Sequence, residues 1–260
     1  MEWIGYFLAI LIGLSLGLVG SGGSILTVPV LVYLFQIPPT LATSYSLFVV
    51  GSTSFIGFLF QARQKMISFK AVLLLGIPSL VTVLLIRQFI LPIIPDQLLE
   101  IGAFVITKSA TTMILFALLM LGSSVSMLTG NKVRSTDPPA PQMYQLLAVG
   151  VGLGLVTGFL GAGGGFLIVP ALVVLFQMPI RKAIGTSLTI ICINTLIGFV
   201  GDVGHVELDW PFLLTLVSIT VTGYLIGAYL SKFVSSQQLK RGFGWFVLTM
   251  GIYIISRELF

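Results

Sequence analysis

The chain has 260 residues, 57% of them hydrophobic and 8% charged, with a mean hydropathy of +1.11. A soluble domain is about a quarter charged, and no soluble fold of this length has interior enough for so much apolar surface, so lipid is the solvent for most of this chain. The net charge of +5 is too small and too scattered to point to nucleic acid; a single cysteine, Cys192, excludes an internal disulfide, and one cysteine with one histidine argues against a structural zinc site.

Apolar runs follow one another at 3–19, 24–36, 41–60, 69–90, 98–128, 144–160, 164–177, 183–201, 210–231 and 242–257. About 20 helical residues cross the hydrocarbon of a bilayer, and most of these runs are long enough. The first run has Glu2 where a cleaved signal peptide needs a basic region, so it is expected to belong to the fold. The runs 24–36 and 164–177 are short. Each follows a cluster of glycines, Gly20-Ser21-Gly22-Gly23 and Gly161-Ala162-Gly163-Gly164-Gly165. Helix propensity drops sharply at such clusters. Residues 3–36 and 144–177 therefore read either as bent single helices or as helical hairpins that enter the membrane and return. Residues 129–143 form the one polar, proline-rich stretch and read as a linker.

The glycine clusters belong to a duplication. Residues 17–58 recur without a gap at 158–199, an offset of 141 residues, and nearly half of the aligned pairs are identical. Upstream, Ala9, Gly13 and Gly17 match Gly150, Gly154 and Gly158, a small-residue series suited to close helix packing. A duplicated apolar segment broken by glycine points to a transporter of two repeats with its site at their interface.

Basic residues orient the halves, because Lys and Arg collect on the cytoplasmic side. The segment 61–70 carries Arg63, Lys65 and Lys70, whereas its match, 201–210, carries Asp202, Glu207 and Asp209 and no basic residue. Matching loops on opposite sides make the repeats inverted. The expected fold is an all-α polytopic integral membrane protein with two inverted repeats, each a broken or re-entrant hairpin plus three transmembrane helices. The first repeat is 1–128 (hairpin 3–36, helices 41–60, 69–90 and 98–128), the cytoplasmic linker 129–143, and the second repeat 144–260 (hairpin 144–177, helices 183–201, 210–231 and 242–257). Parallel repeats of four spans each, with bent first helices, are the alternative.

A broken helix in lipid must turn its freed backbone groups toward protein or a wet cavity. The second half-helix then presents N–H groups and partial positive charge, which bind oxyanions. The candidate substrate-binding residues are accordingly Gly20, Ser21, Gly22, Gly23 and Ser24 in the first copy, and Gly161, Gly163, Gly164 and Gly165 in the second. Two such turns related by a pseudo-two-fold axis would meet near the midplane. Hydroxyls follow in both copies, at Ser46 and at Thr186 and Ser187. Asn194, whose match is Thr53, is a buried amide suited to substrate contact or to joining helices. Lys108 has no basic counterpart and is suited to attracting an anion or to snorkelling. Arg87 reads as an interface anchor and His205 as a solvated loop residue. No Asp or Glu is expected deep in a span, so the coupling ion stays open.

With GLVGSGGSILTVPVL, ATSYSLF, GFLGAGGGFLIVPAL and AIGTSL in view, the chain resembles the TauE/SafE (TSUP) family of sulfite and organosulfur-anion permeases over nearly its whole length. One departure is GIPSLVTVLLIRQ in the first half, which has fewer small residues than VTGYLIGAYL in the second. The resemblance implies a multi-pass protein of the prokaryotic cytoplasmic (inner) membrane that transports a small sulfur-containing anion such as sulfite or a sulfonate. Its expected partners are that anion and the lipid bilayer, a homodimer is an allowed assembly, and neither nucleic acid nor a cofactor is expected. An anion channel on the same fold is the alternative function. A membrane-embedded hydrolase is disfavoured, because Ser21 faces Ala162 in the repeat and the single histidine lies in a loop, so no enzyme activity is expected.

Overall fold

The computed structural model describes residues 2–20, 23–95, 97–101, 104–129, 143–161, 163–204, 206, 208–231, 233 and 236–259. The first half contains α1 (Glu2–Val19), α2 (Ser24–Tyr33), α3 (Pro39–Arg63), α4 (Phe69–Ile93), the strands β1 (Gln97–Ile101) and β2 (Phe104–Thr107), and α5 (Lys108–Thr129). The second half contains α6 (Met143–Leu160), α7 (Gly165–Phe176), α8 (Ile180–Asp202), α9 (Trp210–Leu230) and α10 (Ser236–Leu259). Among the described residues six helices, α3, α4, α5, α6, α8 and α9, are long and apolar enough to cross a membrane.

The interior holds two apolar clusters, as in a water-soluble protein, but the surface is apolar as well. On α4 the residues Leu73, Ile77, Val81, Leu85 and Phe89, one every four positions, are all exposed. That stripe is a lipid-facing surface. The buried set includes Ser24, Thr27, Ser44, Ser46, Thr53, Ser54, Ser79, Thr157, Thr186, Ser187, Asn194 and Thr195. Serine and threonine are cheap to bury in a helix, because the hydroxyl returns a hydrogen bond to the preceding turn. Thr53 does so to Val49 O and Thr195 to Ile191 O, both at 2.7 Å.

Glycine ends α1 and α6, and the chain then doubles back. A side chain on Gly23 would run into Ser15 and the Ile12 carbonyl, and one on Gly5 into Phe35, so α2 returns antiparallel along α1. The halves interlock through their first helices. Gly13 and Gly17 of α1 lie against the backbone of α9 at Thr220, Tyr224 and Gly227; Gly154 and Gly158 of α6 lie against α4 at Ser79, Thr82 and Ile86. Shifted by 141 residues, the first set of contacts becomes the second. Helices α3 and α8 cross antiparallel, with Gly57 against Leu188 and Tyr224, and Gly198 against Leu47 and Val83. Those contacts are again reciprocal under the same shift.

Two features depart from the sequence reading. The apolar run 98–128 does not form one helix: Gln97–Ile101 and Phe104–Thr107 pair as an antiparallel hairpin, and the helix starts at Lys108. Helix α4 contains two widened π turns, Val72–Gly76 and Ile86–Ile90, which precede Pro78 and Pro92. A proline lacks the N–H that would close the regular turn, and its ring crowds the carbonyl four residues back, so the turn opens.

Candidate functional site

The second glycine turn is described except for Ala162. Gly161, Gly163 and Gly164 have φ of +64°, +66° and +60°, a left-handed path that other residues adopt only under strain. This path brings bare backbone against the crossed helices α3 and α8. A Cβ on Gly161 would collide with the backbone of Thr43, and one on Gly163 would stand 3.1 Å from Val50 and from Ile191. Ser46 donates a hydrogen bond to the Gly161 carbonyl at 2.9 Å and fastens the turn to α3. Gly164 caps α7 and Gly165 opens it, so no side chain covers the start of that helix. Gly163, Gly164 and Gly165 are all buried.

The first turn matches it only in part, since Gly23 is right-handed at φ −65° where its counterpart Gly164 is left-handed at +60°. Gly20 has φ +81°, and a side chain there would run into Ile184, the counterpart of Thr43 in the repeat. Gly23 precedes α2, and Ser24, its first residue, is fully buried. Ser21 and Gly22, both expected in the site, lie outside the described residues, as do Ala162 and His205 and positions 130–142 of the linker.

The remaining expected residues divide by location. Thr186 Oγ1 donates to the Lys182 carbonyl at 2.8 Å and accepts from the Ser68 N–H at 3.0 Å, tying the connection after α3 to the start of α8. Ser187 donates to the Ile184 carbonyl of its own helix at 2.9 Å, although Ser46, its equivalent, bonds across to a glycine turn. Asn194 Nδ2 donates to Ser79 Oγ at 2.6 Å and joins α8 to α4. The repeat-related pair, Thr53 and Thr220, joins α3 to α9 through hydroxyls 2.9 Å apart. Lys108 stands apart from the turns, with Nζ donating to the carbonyls of Leu91 (2.6 Å) and Ile94 (3.2 Å). There the ammonium compensates the partial negative charge at the end of α4.

Among the described residues six buried polar atoms have no hydrogen-bond partner: Arg87 Nε and Nη2 on α4, and Thr27 Oγ1 on α2, Ser54 Oγ on α3, Thr157 Oγ1 on α6 and Asn194 Oδ1 on α8. Helices α2, α3, α6 and α8 border the two turns, and Thr157 Oγ1 would lie 2.5 Å from a Cβ on Gly164. Buried polar atoms are nearly always paired, so a group of orphans beside uncapped helix starts suits a polar ligand.

The family model for the sulfite exporter TauE/SafE matches residues 6–254. The chain belongs to this family.

Curated relatives match nearly all of the chain. A probable membrane transporter protein of Xylella fastidiosa (strain 9a5c) is 31% identical over 95% of this chain and 92% of its own length. The probable membrane transporter protein YunE of Bacillus subtilis (strain 168) is 27% identical over 98% and 99% respectively. The probable membrane transporter protein MJ0441 of Methanocaldococcus jannaschii is 23% identical over 95% and 94%. No solved structure matches the chain. This TauE/SafE protein is a multi-pass integral membrane protein of a membrane transporter family.

The sequence reading missed one polar centre of this TauE/SafE chain. Arg87 is not an interface anchor: its side chain is 0% exposed, and Nη1 donates to Asp202 Oδ2 at 2.6 Å. Asp202 is not a loop residue either. It is the last residue of helix α8, it is buried, and it also accepts from Ser44 Oγ at 2.5 Å. Asp202 is buried and paired, but as the last residue of α8 it lies at the end of a span and not deep inside one. The available signal was divergence between repeats, since the counterparts of Arg87, Asp202 and Ser44 are Ala228, Gln61 and Gly185.

Proposed function

We propose that this TauE/SafE protein is a secondary transporter for a small sulfur-containing anion such as sulfite or a sulfonate, resident in a prokaryotic inner membrane. The anion binds between two inverted repeats, cradled by the backbone of the glycine turns, with Ser24, Ser46 and the orphan hydroxyls of Thr27, Ser54 and Thr157 around it. Rocking of one repeat against the other exposes the site alternately to each side. The observation that carries this reading is the buried second turn. Three consecutive glycines, two of them left-handed, bring the start of α7 between α3 and α8 at Val50 and Ile191. Val50 and Ile191 lie near the midpoints of α3 (Pro39–Arg63) and α8 (Ile180–Asp202). Preference for a sulfur anion comes from the family description and from nothing in the geometry.

The reciprocal packing supports inversion. A two-fold relation that makes the equivalent helices α3 and α8 antiparallel also reverses their direction across a membrane. The basic residues agree: Arg63 closes α3 with Lys65 just after it, and Arg181 and Lys182 open α8, at one end of the crossing, whereas at the other end Arg87 is buried against Asp202.

Flux into proteoliposomes tests the reading. Sulfite entry is expected to saturate and to accelerate when unlabelled sulfite is loaded on the opposite side. Entry that rises linearly with concentration and ignores the opposite side indicates a channel, and no entry above protein-free vesicles contradicts transport of this anion.

A further inference from the structure

We propose that the inner edge of Arg87, its Nε–H and one Nη2–H, is a binding site for a small singly charged oxyanion with two oxygens to offer, a sulfonate-like or carboxylate-like group. The proposal rests on the transport reading above and names the side chain that meets the charge.

A guanidinium carries five N–H donors in a planar fork and does not lose its proton in proteins. In Arg87 only Nη1 is engaged, by Asp202 at 2.6 Å and more weakly by Ser44 at 3.4 Å. Nε and Nη2 are buried and have no partner among the described residues. Together these two nitrogens form the edge that holds a carboxylate, phosphate or sulfonate with two parallel hydrogen bonds. A structural ion pair would use that edge for the carboxylate itself; here Asp202 is held end-on through Nη1 and the bidentate edge is left over.

The surroundings fit a ligand. Arg87 lies in the second π turn of α4, Ile86–Ile90, a widening that often accompanies functional sites. Gly201 of α8 faces the stem of Arg87, and a Cβ built on that glycine would stand 3.8 Å from Arg87 Cβ. One short piece of α3 touches both this centre and the second glycine turn. Thr43 and Ser46 contact Gly161, and Ser44 bonds Asp202. From the other side, Ile86 packs on Gly158, three residues before Gly161. The guanidinium therefore sits at the level of the second turn. At the first turn its counterpart is Ala228 and the counterpart of Asp202 is Gln61, so one of the two symmetry-related sites carries a cation and the other does not.

The test uses the full chain purified in detergent. Methanesulfonate, sulfite and acetate serve as probes and chloride as control, each titrated while thermal stability is followed. The wild-type protein is expected to show a saturable shift with the oxyanions. R87K keeps the charge and loses the two-donor edge, and is expected to bind at least about tenfold more weakly. D202N removes the competing acceptor and is expected to bind no more weakly than wild type. R87Q/D202N removes both charges together, so neither is stranded, and is expected to lose the shift. Wild-type affinity in R87K, or loss of binding in a D202N variant whose unliganded thermal stability matches wild type, assigns Arg87 a purely structural role and overturns this site alone. If the double variant does not fold, R87K and D202N still decide. A wild-type protein that responds to no probe contradicts the transport reading as well.

Discussion

Arg87 and Asp202 show what a buried charge demands of its neighbours. Each would be costly alone in a bilayer, and each is tolerable because the other is 2.6 Å away. R87A should cost about 3–5 kcal/mol, because it strands a buried carboxylate, and the companion change D202N should recover much of that loss. Thermal unfolding of the three variants in one detergent checks the order. The pair was hard to see in the chain because its members are 115 residues apart and come from opposite halves. The glycine turn, by contrast, was visible locally, since no other residue makes three left-handed positions affordable within four. G161A combines a left-handed backbone with a collision against Thr43, and should lower stability by about 1–3 kcal/mol. G122A, on α5 where nothing lies within 4 Å, should be neutral or slightly stabilising.

Helices meet here through what they lack. The sequence placed Gly13 and Gly154 in matching small-residue series, and the structure gives each a partner backbone, Thr220 and Ser79. G154L should force α6 away from α4 and unfold the protein or sharply lower its yield, whereas G152L, with open space around it, should be accepted. Size-exclusion profiles of the two variants separate these outcomes. Polar contacts between helices are weaker than they look. Buried hydrogen bonds in a membrane bundle average about 0.6 kcal/mol, so a double-mutant cycle on Asn194 and Ser79 should return a coupling of that order. Element type was less legible where helix and strand are equally apolar. The run 98–128 includes Ile101, Phe104, Val105, Ile106 and Thr107, residues that favour a pleated strand. Hydropathy alone does not separate that hairpin from the start of a helix, and pairing with Gln97–Ile101 decided it.

At the scale of the whole molecule, the exchange of first helices binds the repeats together: α1 belongs to the first half in sequence and packs on α9 of the second, while α6 packs on α4. Inverted repeats place residues 64 and 203 on opposite sides of the membrane, and parallel repeats place them on the same side. Both positions are exposed, at Gln64 and Val203, so Q64C and V203C should react with an impermeant maleimide from opposite faces of oriented vesicles. The native Cys192 is buried and should stay silent. Composition, run length and the duplicated glycine segments were enough, by themselves, to establish a helical membrane protein made of two related halves. Those properties follow from local chemistry: the hydrophobicity of a span, the helix-breaking of glycine, and identity at a constant offset. Only the tertiary structure decided which helix lies against which, that Lys108 spends its charge on the end of α4, and that a buried arginine meets an aspartate from the other repeat. Such pairings depend on distances between residues far apart in the chain, and one sequence read residue by residue carries no record of them.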